Sequence, residues 1–220
     1  PIRTLSCYAL FRNHKGRVWF DDFSIQILDP PEGMFRFDGL QANITSPIST
    51  PQTTESFQTN DGMKIGIDPD DATLKEIDID GQNVPLSKGL NGMLVRDVAE
   101  GSDYYAFEEG HCPSLNLSLQ LDIHEKDNSI SFEGRITDQT KIPRAISLVF
   151  AIPIDAVGWQ WGEHLRSAQT IGKDSEYATF VDIGTGTNGK LSRYPFATVF
   201  SEQIGLGLGI DLGQPCQWRL

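Results

Sequence analysis

The strongest constraint on the fold is a strict alternation of apolar and polar residues near the middle of the chain. From position 115 to position 123, aliphatic residues occupy the odd positions and polar residues the even ones. The aliphatic set is Leu115, Leu117, Leu119, Leu121 and Ile123, and the polar set is Asn116, Ser118, Gln120 and Asp122. A period of two places the aliphatic side chains on one face of an extended strand. The pattern therefore predicts a half-buried β-strand.

Similar patterns recur along the chain and predict antiparallel sheets. The run 130–136 follows the first strand after the turn-like segment 125–128, which predicts a β-hairpin. The run 146–154 also carries Val149 and Ala151 on its second face, so both of its faces are expected to be covered. Further strands are predicted at 18–28, 63–67, 74–79, 177–183, 196–200 and 204–212.

The last of these strands has one nearly bare face. Its aliphatic residues are Ile204, Leu206, Leu208, Ile210 and Leu212, and they alternate with Gly205, Gly207, Gly209, Asp211 and Gly213. Glycine on a strand face allows another backbone or a large ring to approach closely. Helical periodicity is weak throughout, and its best candidate is a turn or two within 162–170.

Taken together, these patterns predict an all-β chain: a large antiparallel sandwich of two packed sheets with little helix. Of the 220 residues, 39% are hydrophobic, which is enough for a packed core and excludes general disorder. Lys and Arg number 18 against 30 Asp and Glu, and the net charge of −12 argues against binding to nucleic acid or anionic membranes. No apolar run reaches the length of about 18 residues that a membrane span needs.

Motifs for metal or thiol chemistry are weak. The acidic segments 68–71 and 78–81 lack the spacing of a calcium-binding loop, so we predict two turns that flank the strand 74–79. The cysteines Cys7, Cys112 and Cys216 form no CxxC motif. They are expected to be separate buried thiols, or one disulfide with one free thiol.

The densest group of candidate ligand-binding side chains comprises Trp159, Trp161, Glu163, His164 and Arg166. Two tryptophans beside charged and titratable side chains are typical of a surface whose rings stack on a ligand. The alternative is a loop whose tryptophans close the end of a sandwich. Sequence alone leaves both interpretations open.

Two stretches resemble known carbohydrate-active families. The segment 16–25, Gly-Arg-Val-Trp-Phe-Asp-Asp-Phe-Ser-Ile, resembles the closing strand of carbohydrate-binding jelly-roll modules. The resemblance implies that residues 1–32 are the last strands of such a module, or a docking segment, and that upstream strands are missing. It also implies a structural Ca²⁺ held by Asp21 or Asp22.

The second resemblance covers residues 33–220. It rests on the Ile79-Asp80-Gly81 turn, the phrase Leu-Val-Arg-Asp at 94–97, the long hairpins and the segment Tyr-Pro-Phe-Ala at 194–197. This part resembles the galactose-mutarotase-like β-sandwich (supersandwich) domain that precedes the catalytic barrel in several glycoside hydrolase families. Because the catalytic acids of those families lie mainly in the barrel, no catalytic residue is assigned in this chain.

The resemblances imply a non-catalytic sandwich of an extracytoplasmic carbohydrate-active protein, whether extracellular, on the cell surface or periplasmic. It would position an adjacent catalytic domain or bind glycan through Trp159, Trp161, Glu163, His164 and Arg166. The alternative is a structural or adhesive module of a cell-surface or filament assembly that pairs with like subunits, which the glycine-faced strand favours. A third hypothesis, a free-standing mutarotase or epimerase, would use the pair His164 and Glu163.

Overall fold

The described part of the chain is built almost wholly from strands and turns. The computed structural model describes residues 15–17, 19, 34–37, 40–43, 54–173, 175–178, 180–182 and 190–220. Within these ranges the single helical element is one 3-10 turn at Pro113–Leu115. The prediction of an all-β fold is therefore confirmed.

The described strands are numbered in chain order. They are β1 (Met34–Phe37), β2 (Leu40–Asn43), β3 (Glu55–Gln58), β4 (Met63–Ile67), β5 (Leu74–Ile79), β6 (Gln82–Asn83), β7 (Gly92–Asp97), β8 (Tyr104–Ala106), β9 (His111–Cys112), β10 (Leu117–Lys126), β11 (Ser129–Asp138), β12 (Ile146–Ala151), β13 (Gln160–His164), β14 (Ser167–Thr170), β15 (Phe180–Asp182), β16 (Lys190–Ser192), β17 (Phe196–Phe200) and β18 (Gly205–Gly209).

Hydrogen bonding divides these strands into five sheets. The strand orders are β1-β2-β8-β7-β12, β3-β4-β5-β6, β11-β10-β9, β14-β13-β17-β18 and β15-β16. Neighbouring described strands are antiparallel except for β2 and β8, which are parallel. The predicted antiparallel character is thus confirmed, with the strands distributed over more than two hydrogen-bonded sheets.

The long hairpin of β10 and β11 follows the predicted alternation. Its register runs from Leu117 opposite Asp138 to Lys126 opposite Ser129. The strand begins at Leu117 rather than at position 115, because Asn116 adopts a left-handed conformation with φ of 52° and closes the 3-10 turn. Leu117 and Leu119 are buried, as the period of two requires.

The main hydrophobic core lies between three sheets. Ile67 and Ile77 enter it from the β3–β6 sheet, Val95 enters from β7, and Leu119 enters from β10. Packing apolar faces of separate sheets against one another is the sandwich principle, and burial of this apolar area is the main stabilising contribution. The structure therefore has the sandwich-like arrangement that the alternation predicts.

Strands β7 and β12 are covered on both faces. Val95 points into the main core, whereas its neighbour Leu94 belongs to a second buried cluster with Ala42 and Tyr104. Val149 and Ala151 of β12 pack against that second cluster. The prediction that the run 146–154 is covered on both sides is thereby confirmed except at Leu148, which is 45% exposed.

The predictions for the segments 162–170 and 1–32 are not confirmed. The helical turn predicted within 162–170 is wrong, because β13 and β14 form an antiparallel hairpin there. The predicted strand 18–28 and most of the segment 1–32 lie outside the described residues, which include only 15–17 and 19 of that segment. The proposed division at residue 32 stays a prediction.

Candidate functional site

The two tryptophans of the predicted ligand-binding group pack in the interior. Trp161 is only 4% exposed and lies in a buried cluster with Ala156, Ile171, Ala197 and Val199. Trp159 is half-buried and packs against both this cluster and the main core. In this structure the ring of Trp161 has no surface on which a ligand could stack. Trp161 packs inward from strand β13, whereas the alternative interpretation placed the tryptophans in a loop that closes the end of a sandwich.

Trp161 carries a buried polar atom without a partner in the described part of the chain. Its indole Nε1 has no hydrogen-bond acceptor there. A buried indole N–H normally finds an acceptor, and leaving such a donor unsatisfied costs about 1–3 kcal/mol. The described contacts of the indole ring are therefore the apolar ones of the cluster.

The remaining predicted residues are only partly brought together. His164 is half-buried, and its Nδ1 accepts a hydrogen bond of 3.1 Å from the backbone N–H of Arg166, a residue in the exposed β13–β14 turn. Glu163 lies at a bulge of β13, and its side chain is outside the described part. The five residues therefore do not share one described surface.

The opposite face of the C-terminal sheet, by contrast, presents exposed and half-buried residues in adjoining positions. In register, Gln160 lies opposite Phe200, which lies opposite Gly205, and Gly162 lies opposite Thr198, which lies opposite Gly207. Residues directly opposite one another share a face. We call this surface the outer face and define it by Gln160, Gly162, Phe196, Thr198, Phe200, Gly205, Gly207 and Gly209.

Two phenylalanines stand on the outer face. Phe196 is 40% exposed and Phe200 is 37% exposed, whereas Ala197 and Val199 between them are buried. Four residues of extended strand separate their Cα atoms by about 14 Å. Large apolar side chains on a strand are usually turned inward, so this inversion marks the outer face as unusual.

Further rings extend the outer face at the Phe196 end. The ring centroids of Tyr194 and Phe196 are 5.9 Å apart, and those of His164 and Tyr194 are 6.4 Å apart. Both distances fall in the range of attractive ring contacts. His164, a member of the predicted group, therefore contacts this aromatic row.

Between the phenylalanines the outer face has a low floor. A Cβ atom at Gly162 would lie 2.2 Å from Oγ1 of Thr198, so the threonine hydroxyl occupies the space above that glycine. A Cβ atom at Gly207 would make ordinary contacts, with Thr198 Cγ2 at 3.4 Å and with the backbone oxygen of Ala197 at 3.8 Å. Between the two phenylalanines, the floor of the outer face therefore consists of the Thr198 side chain and the backbone of Gly162 and Gly207.

Polar groups on the outer face are uncharged. The side-chain amide of Gln160 donates from Nε2 to Oγ1 of Thr170 at 2.9 Å, leaving its carbonyl oxygen as an acceptor. Thr198 supplies a hydroxyl. The eight residues that define the surface include no acid or base. The surface therefore combines apolar ring faces with neutral hydrogen-bonding groups.

The second exposed sheet surface, on the β10–β11 hairpin, has a different character. Shallow depressions there are lined by Gln120, Asp122, Glu133, Gly134 and Arg135. Asp122 and Glu133 lie directly opposite one another, and like charges in that position repel. This polar surface lacks the aromatic rings of the outer face.

The acidic segments form turns, as predicted. Asp68 Oδ1 accepts the backbone N–H of Asp70 at 3.1 Å, and Asp78 Oδ1 accepts that of Gly81 at 2.8 Å. Burial raises the pKa of Asp71 above its ordinary value of 3.8. Among the described residues no group of three or more His, Cys, Asp or Glu side chains could hold a metal ion. Asp21 and Asp22 lie outside those residues, so the predicted calcium site stays a prediction.

Two of the three cysteines are described, and both are free thiols. Cys112 is buried in the main core, and Cys216 is half-buried near the chain end. Burial raises the pKa of each thiol above its ordinary value of 9.0. A raised pKa disfavours the thiolate, which is the reactive form of cysteine.

Comparisons with known proteins add no assignment. No protein-family model, no curated protein and no solved structure matches this chain. In the described ranges, no helix has the length and apolar character to cross a membrane.

Proposed function

We propose that the chain is a non-catalytic, glycan-binding sandwich of an extracytoplasmic carbohydrate-active protein, and that the outer face is its binding surface. The observation that carries the proposal is the exposed pair Phe196 and Phe200, placed on one face of β17 about 14 Å apart. A pyranose ring has apolar C–H faces and a polar rim. An aromatic ring beside neutral hydrogen-bonding groups is complementary to both.

The shape of the outer face favours a polymer over a small molecule. A small ligand is normally held in a concave site that buries most of its surface. The outer face is an open strip with a ring at each end and a floor of Gly162, Thr198 and Gly207. An extended chain of sugars can lie along such a strip and contact both phenylalanines at once.

Charge restricts the class of glycan. The protein carries a net charge of −12, so polyanionic glycans are repelled at long range. The outer face itself offers no basic side chain to offset this repulsion. Neutral polysaccharides are therefore the proposed ligands.

A retention assay tests the proposal. The purified chain is incubated with insoluble cellulose, xylan and chitin, and with pectin as an anionic polysaccharide, and the bound fraction is measured. We expect retention on at least one neutral polymer and none on pectin. The double variant Phe196→Ala/Phe200→Ala should bind about tenfold more weakly, since each ring contact contributes about 0.5–1.5 kcal/mol beyond its buried area.

The matched control replaces exposed hydrophobic residues elsewhere. Ile142 and Leu148 are 67% and 45% exposed and lie outside the outer face. The variant Ile142→Ala/Leu148→Ala should bind as the parent does. Absence of retention on every neutral polymer, or equal loss in both double variants, would overturn the proposal.

A further inference from the structure

Strand β18 lies at the open edge of the C-terminal sheet. In the strand order β14-β13-β17-β18, its one partner among the described residues is β17. The backbone N–H of Ser201 donates to Ile204 O at 2.8 Å, and that of Ile210 donates to Pro195 O at 2.9 Å. These two bonds determine which residues of β18 direct their backbone N–H and C=O groups towards β17 and which direct them towards the open edge.

Hydrogen-bonded pairs alternate with non-bonded pairs along an antiparallel ladder. Between the two bonds above, the bonded pairs are therefore Val199 with Leu206 and Ala197 with Leu208. The glycines of β18 occupy the alternate positions. Their N–H and C=O groups point away from β17, and no other described strand pairs with them.

Among the described residues, this edge has none of the usual protection. Proteins normally shield an open edge with charged side chains, proline or a bulge. Within β18 the sequence is Gly-Leu-Gly-Leu-Gly, and the nearest charged residues are Glu202 and Asp211 beyond its two ends. The backbone groups of the edge are therefore accessible to another strand.

We propose that β18 pairs antiparallel with β18 of a second copy of this chain, about a two-fold axis at Gly207. In that register Gly205 lies opposite Gly209 of the other copy, and Gly207 lies opposite its own counterpart. Every outward N–H and C=O of the three glycines then gains a partner. A closed two-fold contact of this kind uses the same surface on both copies.

Side chains and charges favour this register. Leu206 lies opposite Leu208 of the other copy, which extends the inner apolar face, while the outer side of the junction carries no side chains. The flanking acids Glu202 and Asp211 lie opposite Leu212 and Gln203, so no like charges meet. If the register between the two copies shifted by one residue, Glu202 would lie opposite Asp211 of the other copy. The leucines of one copy would then lie on the same face as the glycines of the other.

Site-specific cross-linking tests the register. Opposed residues of a hydrogen-bonded antiparallel pair have Cα atoms about 5.5 Å apart, within the range for a disulfide. In a background in which Cys7 and Cys216 are replaced by serine, Gly207→Cys should therefore oxidise to a covalent dimer. The matched control is Gly209→Cys, whose counterpart lies about 14 Å away, and it should cross-link at least about tenfold more slowly.

The oligomeric state provides a second measurement. Sedimentation of the full chain should show mass rising with concentration from 24.4 kDa towards twice that value. Gly207→Pro removes one outward donor and leaves the β17 ladder intact, so it should weaken dimerisation at least about tenfold, whereas Gly207→Ala should not. A strictly monomeric protein, assemblies larger than a dimer, or equal cross-linking of the two cysteine variants would overturn the inference. It does not depend on glycan binding and is tested without any glycan.

Discussion

The guanidinium of Arg144 binds the buried carboxylate of Asp97, with 3.3 Å between Nη1 and Oδ2. The side chain of Asp97 is only 2% exposed, and that of Arg144 is 15% exposed. Arg144 also donates from Nε to Oδ2 of Asp138 at 2.8 Å and from Nη2 to the carbonyl of Leu115. One side chain thus joins the ends of β7 and β11 to the 3-10 turn.

Removal of this arginine should destabilise the fold strongly. Arg144→Met leaves the carboxylate of Asp97 buried without its cation, which costs about 3–5 kcal/mol of unfolding free energy. The control is Lys64→Met, which breaks the half-exposed pair of Lys64 and Glu76 and should cost at most about 1 kcal/mol. Urea denaturation measures both changes, and equal losses in the two variants would contradict the role of Arg144.

Two aspartates should change the pH dependence of stability in opposite directions. Hydrogen bonds from the hydroxyl and backbone N–H of Thr140, with further support from Arg144, lower the pKa of Asp138 below 3.8. Its stabilisation is therefore present above about pH 4 and is lost as the pH falls through the lowered pKa. Burial raises the pKa of Asp71, so its stabilising contribution is present at low pH and is lost as the pH rises through the raised value.

Denaturation of the two asparagine variants between about pH 2 and pH 7 tests these signs. Relative to the parent, the unfolding free energy of Asp138→Asn should fall as the pH rises, and that of Asp71→Asn should increase. Each variant thus serves as the control for the other. Slopes of the same sign would show that one assignment is wrong.

Mutation of a tryptophan should distinguish interior rings from surface rings. Trp161→Ala removes a ring that is 4% exposed and should cost about 3–5 kcal/mol of unfolding free energy. Phe196→Ala and Phe200→Ala remove side chains of residues that are 40% and 37% exposed, so each should destabilise the fold less than Trp161→Ala does. Thermal denaturation measures the melting temperature of the three variants. If Trp161→Ala lowered the melting temperature least, the interior position of its ring would be contradicted.

Gly162 and Thr198 should be energetically coupled. Gly162→Ala introduces a Cβ atom 2.2 Å from Thr198 Oγ1, and this overpacking should cost about 1–3 kcal/mol. Thr198→Ala removes that oxygen, so the double variant should recover most of the loss. A double-mutant cycle by chemical denaturation measures the coupling, and additive effects would show that the contact does not exist.

Sequence patterns predicted the strands whose two faces differ in polarity. β10 carries aliphatic residues on one face and polar residues on the other, so the period of two identified both the strand and its buried side. The Asp80-Gly81 turn was predicted because Asp-Gly is a hairpin signal. In the structure both residues adopt positive φ between the paired strands β5 and β6.

The candidate binding surface could not be predicted in this way. In Phe196–Phe200 every residue except Thr198 is apolar, so alternation locates the strand but does not say which face is buried. Packing against Trp161 turns Ala197 and Val199 inward and leaves the phenylalanines outside. The sequence left two interpretations of the tryptophans open for a related reason, because their size suits an interior as well as a binding surface.

The most direct test of glycan binding by the outer face is an amide-resolved NMR titration with soluble oligosaccharides of the polymer that retains the protein. The proposal predicts shifts that grow with ligand concentration at Gln160, Gly162, Thr198, Phe200 and Gly207, with none along β10 and β11. Shifts confined to the β10–β11 hairpin, or no shifts at saturating ligand, would contradict it.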